Sequence, residues 1–238
     1  MDVPIKYGFG RKCMAYLVHA FTASGLIAGF LAVLAINQKD WRLAMIYLVV
    51  ALVIDGIDGT FARLVKVKEV LPKIDGKTID YVVDFVNYAV VPTYFLYMAG
   101  MFPVSLAIPC TSLILLVSAI YYGKEGMVSD DFCFIGFPVL WNLTAFYLYF
   151  VLDFSLAGNV FVVFILAVLH FIPIKIPYPS QSTRWKTLTI IMTILGIIIY
   201  AAILYFYPQN NNILTILAIL VLLYFAVLSL VETFRKPV

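Results

Sequence analysis

Charged side chains are scarce in this chain. Asp, Glu, Lys and Arg make up 12% of its 238 residues, against roughly 25% in a soluble domain. With 64% of residues hydrophobic, that scarcity excludes an ordinary soluble domain and points to an integral membrane protein. No charge sign dominates. Sixteen Lys and Arg against thirteen Asp and Glu leave a net +3, too little for a nucleic-acid surface. Cysteine is rare too. Cys13, Cys110 and Cys133 lie far apart without metal-ligand spacing and read as small packing residues.

What the chain has is apolar length. A bilayer core takes about 20 apolar residues per helix. Eight segments qualify, at 13–36, 42–64, 77–100, 103–122, 134–152, 157–174, 186–207 and 213–233. The first is longer than a signal-peptide core and ends without a clean small-residue cleavage pattern, so it reads as a retained helix. Polar or breaker-rich links such as KVKEVLPKIDG and IKIPYPSQSTRW separate the segments. No segment repeats another, so one polytopic all-α membrane domain over residues 1–238 is the simplest reading.

Orientation follows from the basic residues. An even helix number puts both termini on one side. That side collects fourteen of the sixteen Lys and Arg, and the other has only Lys39 and Arg42. Both termini, with a segment at 1–12, are expected in the cytoplasm, as is the link between the second and third helices.

Residues 53–63 read VIDGIDGTFAR, and residues 76–88 read GKTIDYVVDFVNY. Asp55 and Asp58 fall near the end of the second helix, Asp80 and Asp84 near the start of the third. Residues three or four apart share a helix face, so a hairpin can bring the two pairs together near the cytoplasmic surface. A charged Asp at mid-bilayer costs about 2.5–3.5 kcal/mol, and four close negative charges repel. Divalent cations resolve both problems. Carboxylate oxygens suit Mg²⁺ or Mn²⁺, and four of them suit two ions about 3.5–4 Å apart, an arrangement that clamps phosphoryl groups. No His or Cys joins the cluster, which argues against zinc. Gly59, Ala62 and Gly76 keep that face open to close approach, and Arg63 can pair with phosphate.

The series Asp55-x-x-Asp58-Gly59-x-x-Ala62-Arg63, then Gly76-x-x-x-Asp80-x-x-x-Asp84, resembles the signature of the CDP-alcohol phosphatidyltransferases. The spacer from Leu64 to Asp75 has twelve residues where the common pattern has eight. The resemblance implies a six-helix core, here residues 13–176, with two additional helices over 186–233. It implies a site open to the cytoplasm and two divalent ions, Mg²⁺ or Mn²⁺, held by Asp55, Asp58, Asp80 and Asp84. Asp84 would be the general base, and Gly59, Ala62, Arg63 and Gly76 would lie near the CDP group of CDP-diacylglycerol. It also implies a homodimer in a bacterial inner membrane.

The motif defines the reaction class and not the acceptor alcohol. The stretches VHAFTASG, TIDYVVDFVNYAVVP, DDFCFIGFPVLWN and IPIKIPYPS, with the twelve-residue spacer, are similar to the bacterial choline-using branch of the family. That implies transfer of the phosphatidyl group from CDP-diacylglycerol to choline, with release of CMP, in phospholipid biosynthesis. The first stretch also places Thr22, one turn from His19, toward the nucleotide, although a helix-interface pair reads equally well. A quaternary ammonium is held by aromatic faces. At 100° per residue, Asn87 lies about 20° and Tyr88 about 80° from Asp80, so both extend the acidic face. Tyr88, Asn87, Trp141 and Tyr81 are the expected choline residues. His170 reads as interfacial. Serine, inositol or a glycerol phosphate as acceptor is the alternative, and serine is the hardest to exclude. An ion-coupled transporter is a second alternative, since intramembrane acids mark ion pathways; acids confined to one hairpin disfavour it.

Overall fold

A computed structural model describes residues 7–129, 133–177 and 185–235. Among these, five helices are long and apolar enough to cross a membrane: Phe9–Asn37, Trp41–Val65, Val104–Tyr122, Lys186–Phe206 and Asn212–Thr233. Their outward faces carry exposed Leu17, Phe30, Ile108, Leu116, Ile197 and Leu223. In water such surface would aggregate; in hydrocarbon it is the solvent-compatible face. The all-α membrane reading therefore holds. Lys6, Arg184 and Lys236, counted above on the cytoplasmic side, lie outside the described residues.

The chain packs as two units, one up to Val91 and one from Pro92. The first is built on α1 (Phe9–Asn37) and α2 (Trp41–Val65). Asp40 opens α2 by accepting from the Leu43 amide at 2.9 Å, a side-chain cap on an otherwise orphaned donor. The buried residues of α1 include Ala15, Gly25, Ala28, Gly29, Ala32 and Ala35, and those of α2 include Ala44 and Ala51. Small side chains of this kind let membrane helices approach closely. Lys66 ends α2 in the left-handed region at φ 57°. The short helix α3 (Val67–Val70) follows, its Val67 and Val70 packed with Ala15 and Val18 of α1.

Asp75 then caps α4 (Gly76–Asp84): its carboxylate accepts from the Lys77 amide at 3.1 Å and the Thr78 hydroxyl at 2.6 Å. After Asp84 the backbone widens into a π-helical turn, Phe85–Val90, before α5 (Val91–Met98) resumes the α-helix. The expected third segment is thus helical, but with a change of phase inside it.

The second unit takes α5 onward. It contains α6 (Val104–Tyr122), β1 (Cys133–Ile135), α7 (Trp141–Phe146) with a π-helical continuation over Tyr147–Val151, α8 (Leu156–Leu169), β2 (Lys175–Pro177), α9 (Lys186–Phe206) and α10 (Asn212–Thr233). The strands β1 and β2 pair antiparallel, Phe134 opposite Ile176. This pair corrects two expected helices. The segment expected at 134–152 becomes helical only at Trp141, because 133–135 is strand, Gly136 takes φ +89° and Pro138 follows. The segment expected at 157–174 ends at Leu169; Pro173 lies just beyond, where a helix cannot continue. Lys175 of β2 is tied to α10: its amide donates to Thr233 Oγ1 at 2.7 Å and its carbonyl accepts from the Ser229 hydroxyl at 2.8 Å. Cys110 and Cys133 are buried free thiols and Cys13 is half-buried, as packing residues would be.

Candidate active site

Three of the four expected carboxylates of the first unit converge. Asp55, Asp80 and Asp84 each offer an oxygen within 4.8 Å of the others. Asp55 and Asp84 lie within hydrogen-bonding reach of each other, and Asp84 Oδ1 is buried without a hydrogen-bond partner. Two carboxylates cannot face each other in a dry site as bare anions. A cation among them satisfies the orphaned oxygen and offsets the repulsion, so the donor set fits a hard divalent ion bound through oxygen.

Asp58 is placed differently. It is buried at 6% exposure, yet it is not one of the three clustered carboxylates. Its side chain meets the Thr22 hydroxyl of α1, and the Arg63 cation acts on its charge. Its charge still acts on Asp55, Asp80 and Asp84. Thr22 is therefore beside the acidic hairpin.

Arg63 is exposed, and its guanidinium folds back to donate to Thr60 Oγ1 at 3.1 Å. A Cβ on Gly59 would stand 3.3 Å from the same guanidinium, so Gly59 leaves Arg63 room to lie along α2. Ala62 is half-buried and packs with the α1–α3 core. Gly76 has a plain steric reason: a Cβ there would meet His19 Cε1 at 2.9 Å. His19 is thus set against the start of α4, with Nε2 buried and unpartnered.

The π turn redirects the residues expected at the choline. Asn87 is buried and donates to the Gly25 carbonyl at 3.1 Å, which ties it to α1. Tyr88 is buried and donates its hydroxyl to Asp55 Oδ2 at 2.8 Å. Tyr81 is half-buried with the Lys77 ammonium 5.2 Å from its ring centre, so a cation already occupies that aromatic face. In the second unit Trp141 is fully buried, donates to Ser118 Oγ at 2.8 Å and stacks on His170 at 5.4 Å. His170 lies at the end of α8. It is fully buried, its Nδ1 is 2.7 Å from the Leu166 carbonyl, and Tyr121 and Phe137 meet its ring edge to face. Of these partnerships only the Tyr88–Asp55 bond touches the acidic cluster, and sequence reasoning missed it. The signal was present, a tyrosine one turn after the last motif aspartate, but its partner depends on the phase of the π turn.

Apolar membrane helices that bring three carboxylates together, with an exposed arginine about two turns beyond Asp55 on α2, define an integral membrane protein with an acidic centre. No family model matches the chain. Curated relatives do. It is 35% identical over 221 residues to a phosphatidylcholine synthase of Borreliella burgdorferi, covering 93% of this chain and 94% of that one. It is 37% identical over 219 residues to one of Legionella pneumophila, covering 88% and 85%, and 40% identical over 178 residues to one of Agrobacterium fabrum, covering 75% and 73%. The chain belongs to the phosphatidylcholine synthase family. The resemblance carried by the motif blocks is borne out.

Proposed function

We propose that this protein transfers the phosphatidyl group of CDP-diacylglycerol to choline, giving phosphatidylcholine and CMP. The observation that carries the reading is the convergence of Asp55, Asp80 and Asp84 within 4.8 Å in the hairpin of α2 and α4, in a chain that matches phosphatidylcholine synthases over 94%, 85% and 73% of their lengths. Asp55, Asp58, Asp80 and Asp84 are the residues proposed to hold two divalent ions, Mg²⁺ or Mn²⁺. When bound, such ions offset phosphoryl charge and assist the leaving phosphate.

The remaining roles fall to side chains. Arg63 pairs with the diphosphate as a planar, permanently charged donor, and Thr22, Gly59, Ala62 and Gly76 border the nucleotide. Asp84 takes the proton of the choline hydroxyl as its oxygen bonds to the phosphatidyl phosphorus. The phosphorus–oxygen bond to CMP breaks, and CMP leaves with that electron pair. A base must stand within about 2.6–3.2 Å of the hydroxyl; the unpartnered Oδ1 of Asp84 supports this assignment. Tyr88, beside Asp55, supplies the aromatic surface for choline, and Tyr81, expected there from the sequence, instead faces the Lys77 ammonium. Asn87 and Trp141, expected there from the sequence, have packing roles that account for them. Eight membrane passes, both termini in the cytoplasm, residence in a bacterial inner membrane and a homodimer complete the proposal; the charge asymmetry of the links supports the orientation.

The test is CMP release by purified protein from CDP-diacylglycerol with choline, serine, inositol or glycerol phosphate in turn. Release is expected with choline alone. It should stop on adding EDTA and return with Mg²⁺ or Mn²⁺. Turnover with serine and not choline would overturn the acceptor; full activity in metal-free protein would overturn the metal reading.

A further inference from the structure

We propose that Tyr88 is a positioning residue that fixes the metal ligand Asp55. The inference rests on the metal reading of the acidic hairpin. Tyr88 is 6% exposed, and its hydroxyl donates to Asp55 Oδ2 at 2.8 Å. A hydrogen bond to an ionised acceptor is roughly twice as strong as a neutral one. A single donor on one carboxylate oxygen restricts the rotamer and leaves the other oxygen to the cluster. Asp55 needs such a restraint. It projects from α2, whereas Asp80 and Asp84 share a face of α4, so it alone of the three has no partner carboxylate on its own helix in the cluster.

The backbone is built for this contact. The π-helical turn begins at Phe85, directly after Asp84, and holds both Asn87 and Tyr88. Asn87 anchors the turn to α1 through the Gly25 carbonyl at 3.1 Å. A Cβ on Gly29 would collide with the Asn87 amide, so Gly29 is what admits that side chain. The turn is thereby clamped on α1 while the neighbouring Tyr88 reaches α2. Wide turns of this kind inside α-helices recur at functional sites. Here the turn resets the phase after the α4 carboxylates, so that successive residues serve two different helices.

Positioning and choline binding predict different measurements. Loss of a hydrogen bond that orients a metal ligand typically costs about 10–100-fold in metal affinity or activity. Loss of an aromatic contact raises the choline KM instead. Tyr88→Phe separates them because it keeps the ring and removes the hydroxyl. The full chain, purified in detergent and stripped of metal, is titrated with Mn²⁺ without substrate, and free Mn²⁺ is read by electron paramagnetic resonance. Tyr88→Phe should bind Mn²⁺ about 10-fold more weakly or worse, with a parallel rise in the Mn²⁺ needed for half-maximal turnover and a choline KM within about twofold at saturating Mn²⁺. Equal Mn²⁺ affinity in the two proteins overturns the positioning role while leaving the metal reading intact. No Mn²⁺ binding by the unaltered protein overturns the metal reading and this inference with it. If Tyr88→Phe does not fold, 3-fluorotyrosine at position 88 retains the hydroxyl; its fluorine resonance should move with Mg²⁺ at the concentration that half-saturates activity, and an unmoved resonance overturns the proposal.

Discussion

Asn87 crosses from the π turn after α4 to α1 and donates its amide to the Gly25 carbonyl at 3.1 Å, with Gly29 beneath it. A polar side chain thus spans two membrane helices, and its space is made by a missing Cβ. Gly29→Ala would push a methyl group into the Asn87 amide. Overpacking of this kind costs about 1–3 kcal/mol. The variant should unfold earlier in detergent, by thermal or denaturant titration, and Gly29→Ala with Asn87→Ala should recover part of the loss. A double variant that is worse by the sum of both would mean the two sites are independent.

Asp84→Asn tests the proton acceptor. General-base catalysis is typically worth about 10²–10⁴-fold, so kcat should fall by that much while CDP-diacylglycerol still binds. A loss below tenfold assigns the base elsewhere. Loss of Mn²⁺ binding together with rate would make Asp84 a ligand first. Asp55→Asn and Asp80→Asn should lower metal affinity and rate together.

Asp75 lies before α4, outside the span. The Thr78 hydroxyl, and then the Lys77 amide, hold its carboxyl below the usual carboxylate range. A lowered folded-state value means the stabilisation is present above the ordinary value of about 3.9 and is lost as pH falls through the lowered one. Asp75→Ala should reduce the thermal midpoint at neutral pH and flatten its decline on acidification. Asp75→Asn, which keeps a capping oxygen, should flatten the acid decline with a smaller loss at neutral pH.

The positive-inside count predicts labelling patterns. A reporter fused after Val238 should be active only in the cytoplasm. A cysteine replacing the exposed Asn210, in the link between α9 and α10, should react with an impermeant reagent from outside. The reverse result would place the acidic hairpin on the opposite face.

The hairpin was legible because two simple rules carry it. Hydropathy places α2 and α4, and spacings of three and four put Asp55, Asp80 and Asp84 on facing surfaces. What lay beyond the sequence depended on contacts between distant residues. Asp58 satisfies the same spacing as Asp55, yet Thr22 of α1 gives it a different partner. No residue type marks a π turn, so the 100° projection that put Asn87 and Tyr88 together on the acidic face held for Tyr88, which reaches Asp55, and failed for Asn87, which reaches Gly25. The β1–β2 pair has three residues per strand, too short for an alternation to register. The sequence IGFP did hold a signal there: a glycine needing positive φ and a proline shortly before α7. Its apolar neighbours hid it inside an apparent span. Trp141 looked like a cage residue because it is aromatic, and only Ser118 and His170, 23 and 29 positions away, reveal it as packing.

The tie between Lys175 and the last helix has a consequence for the order in which the chain can mature. Lys175 leaves the ribosome 54 residues before Ser229 and 58 before Thr233. Until those two hydroxyls emerge, the tie between Lys175 and α10 cannot form. A nascent chain arrested within α10 would already hold every aspartate of the hairpin and still lack this fastening. The tie between β2 and α10 therefore closes last in the order of synthesis, and a chain truncated before Ser229 should unfold earlier in detergent than the full chain.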